Sequence, residues 1–383
     1  MNAGILTLPS GTARPGQAFA HPGMPPLDTD GPPVSPYEFW SMRTFYAPVF
    51  LYVLWLMLRY RGVTLPSVAN PGFPGGGFHG ESKSAILALA YPAAPDAVAP
   101  FVTWDRPAAD GDAASETRAA LERLAGAGLA LPVVAKPDLG CRGAGVRLVR
   151  TEAELATYIA AFPAGARLIL QRFADVEGEA GVFYVREPGA ARGRILSLTL
   201  KYFPRVVGDG RSTLRQLILA DRRAGRVPFL YLPRHRDRLD EVVPAGEAVR
   251  LAFSGSHSKG AIFRDGTHLV TPEMEARFDA IARAIPGFHF GRFDVRFPCF
   301  DRLQRGEDFT IVEVNGAGAE MTHIWDRNTP LWRAWADLMG QYHLLWRIGR
   351  ANRNLGHRPI RLIDFWRASR RESRLTALYP PTM

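Results

Sequence analysis

Residues 133–149 read VVAKPDLGCRGAGVRLV, in which Lys136 precedes three closely spaced glycines, Gly140, Gly143 and Gly145. Short β-branched runs on either side predict a strand, a glycine loop and a second strand. Glycine accepts backbone conformations that other residues avoid, so such a loop can fold its N–H groups around an anion. Beside a lysine, this pattern predicts a β-hairpin whose tip binds phosphate. The alternative is an ordinary glycine-rich turn.

Two common phosphate-binding motifs do not fit this stretch. The Walker loop places its lysine after the glycines and continues into a helix, whereas Lys136 precedes Gly140 by four residues. The dinucleotide fingerprint is G-x-G-x-x-G between a strand and a helix, and here the spacing is the reverse, G-x-x-G-x-G. The strands that flank the loop argue against both motifs.

The composition is that of a globular protein. The chain has 383 residues, 47% hydrophobic and 22% charged, which is enough for two or three compact units. Two cysteines, Cys141 and Cys299, form neither a disulfide framework nor a C-x-x-C pair, as expected in a reducing compartment. Residues 1–36 are rich in Pro and Gly and carry no signal-peptide pattern, so we expect a largely disordered segment and a cytoplasmic protein.

Two segments concern contact with membranes. Residues 45–58 (FYAPVFLYVLWLML) form an apolar run of 14 residues. Because a bilayer span needs roughly 20, this run predicts a buried or interfacial helix. Most of the net charge of +10 comes from residues 347–374, with nine arginines and two acidic residues. This basic tail predicts either a solvated extension or an amphipathic segment peripheral to an anionic membrane. Nucleic acid is disfavoured, since no recognition motif accompanies the charge.

Helical and strand patterns mix irregularly along the chain and predict an α+β class with several sheets. A second glycine-rich stretch, NPGFPGGGFHGES (70–82), is either an anion site or a structural turn, and Ser82 is expected to cap a helix over 83–89. Ser212 is expected to cap a helix that starts at Thr213. Residues 91–112 have the composition of a linker.

Residues 290–297 (FGRFDVRF) and 308–316 (DFTIVEVNG) predict two strands joined by a polar turn. Glu313 and Asn315 share one strand face because they are two residues apart, and pairing of the strands brings Asp294 alongside them. Two carboxylates and an amide oxygen are hard ligands suited to Mg²⁺. The alternative is a surface ion pair of Asp294 with Arg292 or Arg296, with Glu313 facing solvent.

These parts, in this order, resemble the ATP-grasp superfamily over roughly residues 131–321. The G-R-x-D and E-x-N elements look most like those of D-alanine–D-alanine ligases. The phrase VVGDGRSTLRQLI is similar to a segment of cyanophycin synthetases, and the two glycine-rich stretches are similar to those of proteins called carboxylate–amine ligases. The resemblance implies an ATP-grasp fold, in which two α+β subdomains clamp ATP. We therefore expect a disordered segment (1–36), a short pre-ATP-grasp region and linker (37–112), the N-terminal (113–190) and C-terminal (191–346) subdomains, and a basic extension (347–383).

The resemblance also implies a role for each matching residue. ATP would contact Lys136, the loop with Gly140, Gly143 and Gly145, the hinge residues Gln171, Arg172 and Phe173, the ribose-binding Glu179 (or Glu177), and Lys201. Two Mg²⁺ ions, with Mn²⁺ as an alternative, would be held by Asp294, Glu313 and Asn315. Arg292 and Lys201 would act on the reacting groups. The chain departs from the family at Gln171, where a glutamate is common, and in the extra lysine ahead of the hairpin, whose one candidate, Lys83, lies far upstream.

The activity implied is that of an ATP-dependent ligase, which joins a small-molecule carboxylate to an amine through an acyl phosphate. This chemistry needs positioning and charge neutralisation rather than a nucleophile–base triad. The alternatives are an ATP-grasp kinase that stops at phosphoryl transfer and a non-catalytic nucleotide-binding or membrane-associated scaffold. The identity of the substrates stays open, as does the oligomeric state, for which a homodimer is one option.

Overall fold

The computed structural model describes residues 19–107, 112–140, 143–380 and 382. The α-helices in this part of the chain, which also has several short 3₁₀ helices, are α1 (Met42–Arg59), α2 (Lys83–Ala93), α3 (Ala113–Gly126), α4 (Glu152–Ala161), α5 (Leu214–Ala220), α6 (Pro228–Tyr231), α7 (Pro272–Ala284), α8 (Phe300–Gln304), α9 (Leu331–Asn354) and α10 (Leu362–Thr376). The strands are β1 (Phe101–Asp105), β2 (Val133–Pro137), β3 (Arg147–Val149), β4 (Arg167–Arg172), β5 (Gly178–Val185), β6 (Arg194–Tyr202), β7 (Arg205–Val207), β8 (Ala248–Arg250), β9 (Ile262–Asp265), β10 (Phe290–Phe297) and β11 (Thr310–Asn315). Helices and antiparallel sheets occur together, so the predicted α+β class is confirmed.

The first sheet contains the predicted hairpin. Its strand order is β1-β4-β2-β3, and β2 pairs with β3 from Val133 opposite Val149 to Ala135 opposite Arg147. Apolar side chains of β2 and β4 pack against α3 and α4 in one buried cluster. The hairpin is therefore confirmed, and this core carries the glycine loop at its tip.

The second sheet has the strand order β11-β10-β5-β6-β9 and separates a core from a polar face. Along β10, Phe293, Val295 and Phe297 enter a large apolar cluster together with residues of α2 and α7. Successive residues of a strand point to opposite sides, so Arg292, Asp294 and Arg296 lie on the other face. This polar face carries the candidate site.

The boundaries between the predicted regions differ in the structure. The presumed linker contains β1, which pairs with β4 at the edge of the first sheet. Strand β5, placed in the N-terminal subdomain, belongs to the second sheet, since it pairs with β6 and β10. Helix α9 continues through the expected boundary at 346/347. A strand of five residues such as β1 is too short to stand out within Pro- and Ala-rich surroundings.

The N-terminal segment is ordered wherever it is described. Residues 1–18 lie outside the described residues, while 19–36 are held by specific contacts rather than disordered as predicted. The Tyr202 hydroxyl donates to Pro25 O at 3.0 Å, and the Arg223 guanidinium donates to Pro33 O at 2.8 Å. These bonds join residues far apart in sequence, and composition does not reveal them.

Helix caps follow the sequence closely. Ser82 Oγ accepts from Ala85 N at 3.1 Å, so the predicted cap of α2 is confirmed. The cap of α5 is Thr213, not Ser212, because Thr213 and Gln216 form a capping box. Ser212 instead donates to Asp209 in the preceding turn, at 2.7 Å.

Helix α1 contains the apolar run and lies against α9, with Phe45, Val49 and Leu56 buried. Across the residues that the structure describes, no helix combines the length and apolar character that a bilayer span requires.

Candidate active site

The site is built on the register of β10 and β11. Asp294 lies opposite Glu313, and Arg292 lies opposite Asn315. Asn315 Nδ2 donates to Asp294 Oδ2 at 3.1 Å. The predicted pairing of these strands is confirmed, and it brings the three proposed metal ligands together on one face.

Two cations surround the Asp294 carboxylate. Arg292 donates to it through Nε and Nη2, each at 2.9 Å, and Lys201 Nζ donates at 2.8 Å. Burial raises the pKa of a carboxyl group, but here the Arg292 guanidinium and the Lys201 ammonium outweigh burial and hold the pKa of Asp294 well below its usual range. Asp294 is 5% exposed, so this is a buried ion pair and not the surface pair considered as an alternative.

Lys201 connects Asp294 to Glu179. Its Nζ also donates to Glu179 Oε1 at 3.1 Å, and Arg296 Nε lies 3.4 Å from Glu179 Oε2. Burial lowers the pKa of a lysine, but Asp294 and Glu179 outweigh it and raise the pKa of Lys201. Arg296, which the sequence offered as a partner of Asp294, therefore pairs with Glu179.

Glu177 and Glu179, the two candidates for ribose, lie in different surroundings. Glu177 is buried among Arg205, at 2.7 Å, and His21, at 3.3 Å. Glu179 stands beside Lys201 on the polar face that carries Asp294. Of the two, Glu179 is thus the one that lies with the other candidate residues.

Lys136 links the first sheet to the second. Its Nζ donates to Gln171 Oε1 at 2.6 Å, within the first sheet, and to Val312 O at 3.1 Å, on β11. Burial lowers the pKa of Lys136. The Gln171 amide also donates to Ala99 O at 3.3 Å. Gln171, at the predicted hinge, thus accepts a hydrogen bond from the buried Lys136 ammonium.

The other hinge residues lie where the chain passes between the sheets. Arg172 ends β4 and is exposed, and Phe173 is half-buried. Arg172 N donates to Pro100 O at 3.0 Å, which ties the hinge to the segment before β1. The structure thus places the three residues predicted to form the hinge at the junction of the two sheets.

The glycine loop adopts the conformations that require glycine. Gly140, Gly143 and Gly145 have φ values of +127°, +70° and +69°. Cys141 and Arg142 lie outside the described residues. A Cβ on Gly143 would come within 2.8 Å of Ser254 Oγ, and one on Gly255 within 1.8 Å of Glu179 Oε1. The loop around Ser254 and Gly255, which sequence patterns did not single out, therefore lies between the glycine loop and Glu179.

The basic C-terminal extension packs against the glycine loop. Thr382 Oγ1 donates to Gly143 O at 2.7 Å, and Tyr379 stacks on Phe162 with ring centroids 5.5 Å apart. A Cβ on Gly145 would lie 3.1 Å from Tyr379 Cβ. The extension is thus neither wholly solvated nor a separate unit, since its last residues brace the predicted phosphate-binding loop.

Helix α10 also contacts the second glycine-rich stretch. Phe365 stacks on Phe78 with centroids 5.5 Å apart, and Gly80 N donates to Glu372 Oε2 at 3.1 Å. The same stretch lies against the chain beyond Asn315, where Ala317 N donates to Gly76 O at 3.0 Å. These backbone contacts favour the structural-turn interpretation of the stretch.

Lys83 is the residue whose place the sequence left undecided. Its Nζ donates to Gly140 O and lies 3.6 Å from Glu313 Oε1. Asp138, which follows β2, bonds to Ser82 Oγ at 3.0 Å and Ser84 N at 2.8 Å and so fixes the start of α2 beside the hairpin. Lys83 therefore joins the site from far upstream in the chain.

Glu81 is a further residue that sequence patterns missed. Its Oε2 is buried and has no hydrogen-bond partner among the described residues. Burial raises the pKa of Glu81 to about 7, with Glu313 adding to the effect and Lys83 opposing it. A carboxyl group with these neighbours lies at the edge of the same site.

Lysine usage is the signal that marks these positions. The chain has 47 basic residues, yet lysine occurs only at 83, 136, 201 and 259. Three of these four lysines contact the site. Lysine presents a compact charge on a flexible stem and is a common ligand of phosphate, whereas arginine supplies the rest of the basic surface.

The donor set of the polar face fits a hard divalent cation. Glu313 offers a partly exposed carboxylate, Asp294 adds a carboxylate whose two oxygens bond to Arg292, Lys201 and Asn315, and the amide oxygen of Asn315 is the remaining donor. In the described ranges, no group of three or more His, Cys, Asp or Glu side chains is placed to hold a metal ion. Mg²⁺ in phosphoryl-transfer sites commonly uses one or two carboxylates together with the phosphates of its substrate, and these residues fit that pattern.

No family model and no curated protein matches this sequence. Solved structures similar to it include a bifunctional glutathione synthetase from Pasteurella multocida, which is 16% identical over 68% of this chain and 35% of that one, with a TM-score of 0.34. The VanG D-Ala:D-Ser ligase from Enterococcus faecalis is 13% identical over 73% and 64% of the two chains (TM-score 0.37). A D-alanine–D-alanine ligase from Bacillus anthracis complexed with ATP is 14% identical over 72% and 67% (TM-score 0.37).

The chain spans 35% of the glutathione synthetase and 64% of the VanG ligase. The chemistry of this chain is inferred from its own residues.

Proposed function

We propose that this protein is an ATP-dependent ligase, which activates a substrate carboxylate as an acyl phosphate and joins it to an amine. The observation that carries the proposal is the convergence of Lys83, Lys136 and Lys201 on the strand pair that bears Asp294 and Glu313. These lysines come from three separate stretches of the chain, one upstream of the first sheet and one from each sheet. Such a concentration of cations beside hard oxygen donors suits a polyphosphate with its metal.

The three lysines would neutralise the phosphate charges from two sides of the site. Lys136 and Lys83 would bind phosphate oxygens from the side of the hairpin, and Lys201 from the side of the second sheet. The glycine loop would close over the phosphates with its backbone N–H groups and exclude water. Adenine would lie at the hinge, where Gln171 is bound to Lys136, so that backbone groups of Arg172 and Phe173 serve recognition. Glu179 is our candidate for the ribose.

The reaction would proceed by two displacements. A carboxylate oxygen of the acid attacks the γ-phosphorus, the bond to the bridging oxygen breaks, and ADP leaves with that electron pair. The nitrogen of the neutral amine then attacks the acyl carbon, the bond to the phosphate oxygen breaks, and phosphate leaves while the nitrogen loses a proton to solvent. Arg292 would hold the negative oxygens of the acyl phosphate. Mg²⁺ held by Asp294, Glu313 and Asn315, or Mn²⁺ in its place, would neutralise the β- and γ-phosphates.

A product assay tests this function. The full chain is incubated with ATP and Mg²⁺ and with panels of acids (amino acids, dipeptides, acyl acids) and amines, while ADP and amide products are measured. Hydroxylamine is added as a trap, since it converts an acyl phosphate to a hydroxamate. We expect ADP and hydroxamate to form only with the correct acid, and an amide to form when its amine is present. ADP release that needs a hydroxyl acceptor would instead identify a kinase, and ATP binding without turnover a scaffold.

A further inference from the structure

Helix α1 presents a continuous apolar face to solvent. Phe50, Leu51, Leu54, Trp55 and Leu58 are 57, 67, 40, 46 and 79% exposed. Their spacing places them on one side of the helix over more than two turns. Single exposed apolar residues are common, but a contiguous stripe of large ones marks an interaction surface.

Arginines lie at both ends of this apolar face. Arg43 is exposed at the start of α1 and Arg59 at its end, and the helix contains no acidic residue. The Arg59 and Arg350 guanidinium groups lie over the Tyr60 ring, 5.8 and 5.9 Å from its centroid. Arg353 donates to Arg61 O at 3.0 Å, which adds further positive charge at the same end.

We propose that α1 docks the protein on an anionic lipid bilayer. The apolar face would enter the interface between headgroups and acyl chains, and the flanking arginines would contact lipid phosphates. A second copy of the chain is a less suitable partner for the apolar face of α1 than an anionic bilayer. In an antiparallel twofold pairing of α1, Arg43 of one copy would face Arg59 of the other, without an acidic residue on the helix to compensate.

The basic helix α10 is less suited to this role than its charge suggests. It exposes Leu362, Ile363 and Trp366, but Arg370 covers the Trp366 ring at 4.2 Å. Its other side is occupied by the contacts with Phe78 and Gly80. Helix α10 therefore provides a matched control, with exposed apolar residues and a higher density of arginine.

Docking through α1 would also place the active site near the membrane. Tyr46, on α1, donates to Glu320 Oε1 at 2.7 Å, and the backbone oxygen of Glu320 accepts from Arg292 Nη1 at 3.1 Å. A single residue thus separates α1 from the Arg292–Asp294 pair.

Vesicle flotation tests the proposal with the full chain. Phosphatidylcholine vesicles are compared with vesicles of phosphatidylcholine and phosphatidylglycerol in equal amounts, at low and high salt. We expect the protein to float with the mixed vesicles at low salt. The double variant Leu51→Glu/Leu54→Glu should bind at least about tenfold more weakly, because charges on the apolar face oppose its insertion. The variant Leu362→Glu/Trp366→Glu should float like the wild type.

Three flotation results would overturn the proposal. These are no flotation of the wild type, equal flotation of the α1 double variant, and loss of flotation caused by the α10 variant instead. A wild-type dimer that the α1 variant dissociates, seen by light scattering, would assign the face to a second copy. Thermal melting checks that each variant is folded. If the double variant is unfolded, the single variant Leu58→Glu, at the most exposed position of the apolar face, replaces it in the flotation assay.

Discussion

Asp294 and Glu313 lie opposite each other on neighbouring strands, yet only the Asp294 carboxylate has cationic side chains at hydrogen-bond distance. Asp294 bonds directly to Arg292, Lys201 and Asn315. The Glu313 side chain is 29% exposed, and Lys83 lies 3.6 Å away. One carboxylate is therefore fixed by the fold, while the other is accessible to a ligand.

Glu313→Ala is expected to abolish most ATP turnover without unfolding the protein. Loss of a carboxylate from the proposed metal site should lower the rate of ADP release by about 10²–10³-fold, the usual size for one preorganised electrostatic contact. Because Glu313 is partly exposed, the free energy of unfolding should change by less than about 1 kcal/mol. Glu307→Ala is the control, since Glu307 forms a surface pair with Arg305 in the turn before β11. Unchanged turnover in Glu313→Ala would remove this residue from the proposed metal site.

Lys83→Met tests whether the upstream lysine belongs to the site. We expect a rise in the KM for ATP and a fall in kcat, because the variant loses a cation between Gly140 and Glu313. Arg305→Met removes an exposed cation from a surface pair and should leave both constants unchanged. Steady-state kinetics measure the two variants, and wild-type kinetics in Lys83→Met would show that this contact is structural.

Lys201→Met should destabilise the fold by up to about 3–5 kcal/mol, since it removes the cation that bridges the buried carboxylates of Asp294 and Glu179 and leaves them only Arg292 and Arg296 as charged partners. In the double variant Lys201→Met/Asp294→Asn one of these charges is removed as well. Its loss of stability should therefore be smaller than the sum of the two single losses. Urea unfolding measures all four proteins, and strictly additive losses would contradict direct coupling between Lys201 and Asp294.

Glu81→Gln should raise the stability of the protein at alkaline pH. The ordinary pKa of a glutamate is 4.5, and in the fold the pKa of Glu81 is raised to about 7. A raised carboxyl pKa contributes stability that is fully present below 4.5 and is lost as the pH rises through 7. The variant has no charge to bury at either pH. The difference in free energy of unfolding between the variant and the wild type should therefore shift in favour of the variant by roughly 1–3 kcal/mol between pH 4 and pH 8.

Denaturation at the two pH values measures this difference. Glu122→Gln, at an exposed position on α3, is the control and should follow the wild type at both. A Glu81→Gln variant whose stability parallels the wild type across the range would show that Glu81 titrates normally.

Tyr379→Ala should loosen the glycine loop. Loss of the ring that stacks on Phe162 and lies beside Gly140 removes part of the brace that the C-terminal extension provides. We expect faster amide hydrogen exchange over residues 143–147 and a higher KM for ATP. Leu378→Ala is a matched control, because the neighbouring Leu378 side chain is 62% exposed. Equal exchange in both variants would show that the extension does not hold the loop.

Structural features that depend on strand alternation or on neighbouring residues were predictable from the sequence. The alternation of residues along a strand placed Asp294, Glu313 and Asn315 on one face, and β-branched runs around glycine predicted the hairpin. The Ser82 cap follows from a local hydrogen bond and was equally readable. In each case the structure is decided by residues that are close in sequence or that occupy alternate positions along a strand.

The rest depends on contacts without a periodic pattern. Lys83 reaches Glu313 across 230 positions, and Thr382 bonds to the backbone of Gly143. The short strand β1 is recognisable only once β4 is present as its partner. For this reason the sheets to which β1 and β5 belong, and the packing of the C-terminal extension, could not be predicted from the sequence.

The scarcity of lysine has a practical consequence for the chemistry of this protein. Amine-reactive reagents usually label a protein surface at random, but here three of the four lysines lie in the candidate site. Apart from the α-amino group, such a reagent has Lys259 as its one target elsewhere. Because Lys136 and Lys201 are buried, covalent labelling followed by mass spectrometry would report nucleotide occupancy chiefly through Lys83, with its protection read against Lys259 as an internal standard.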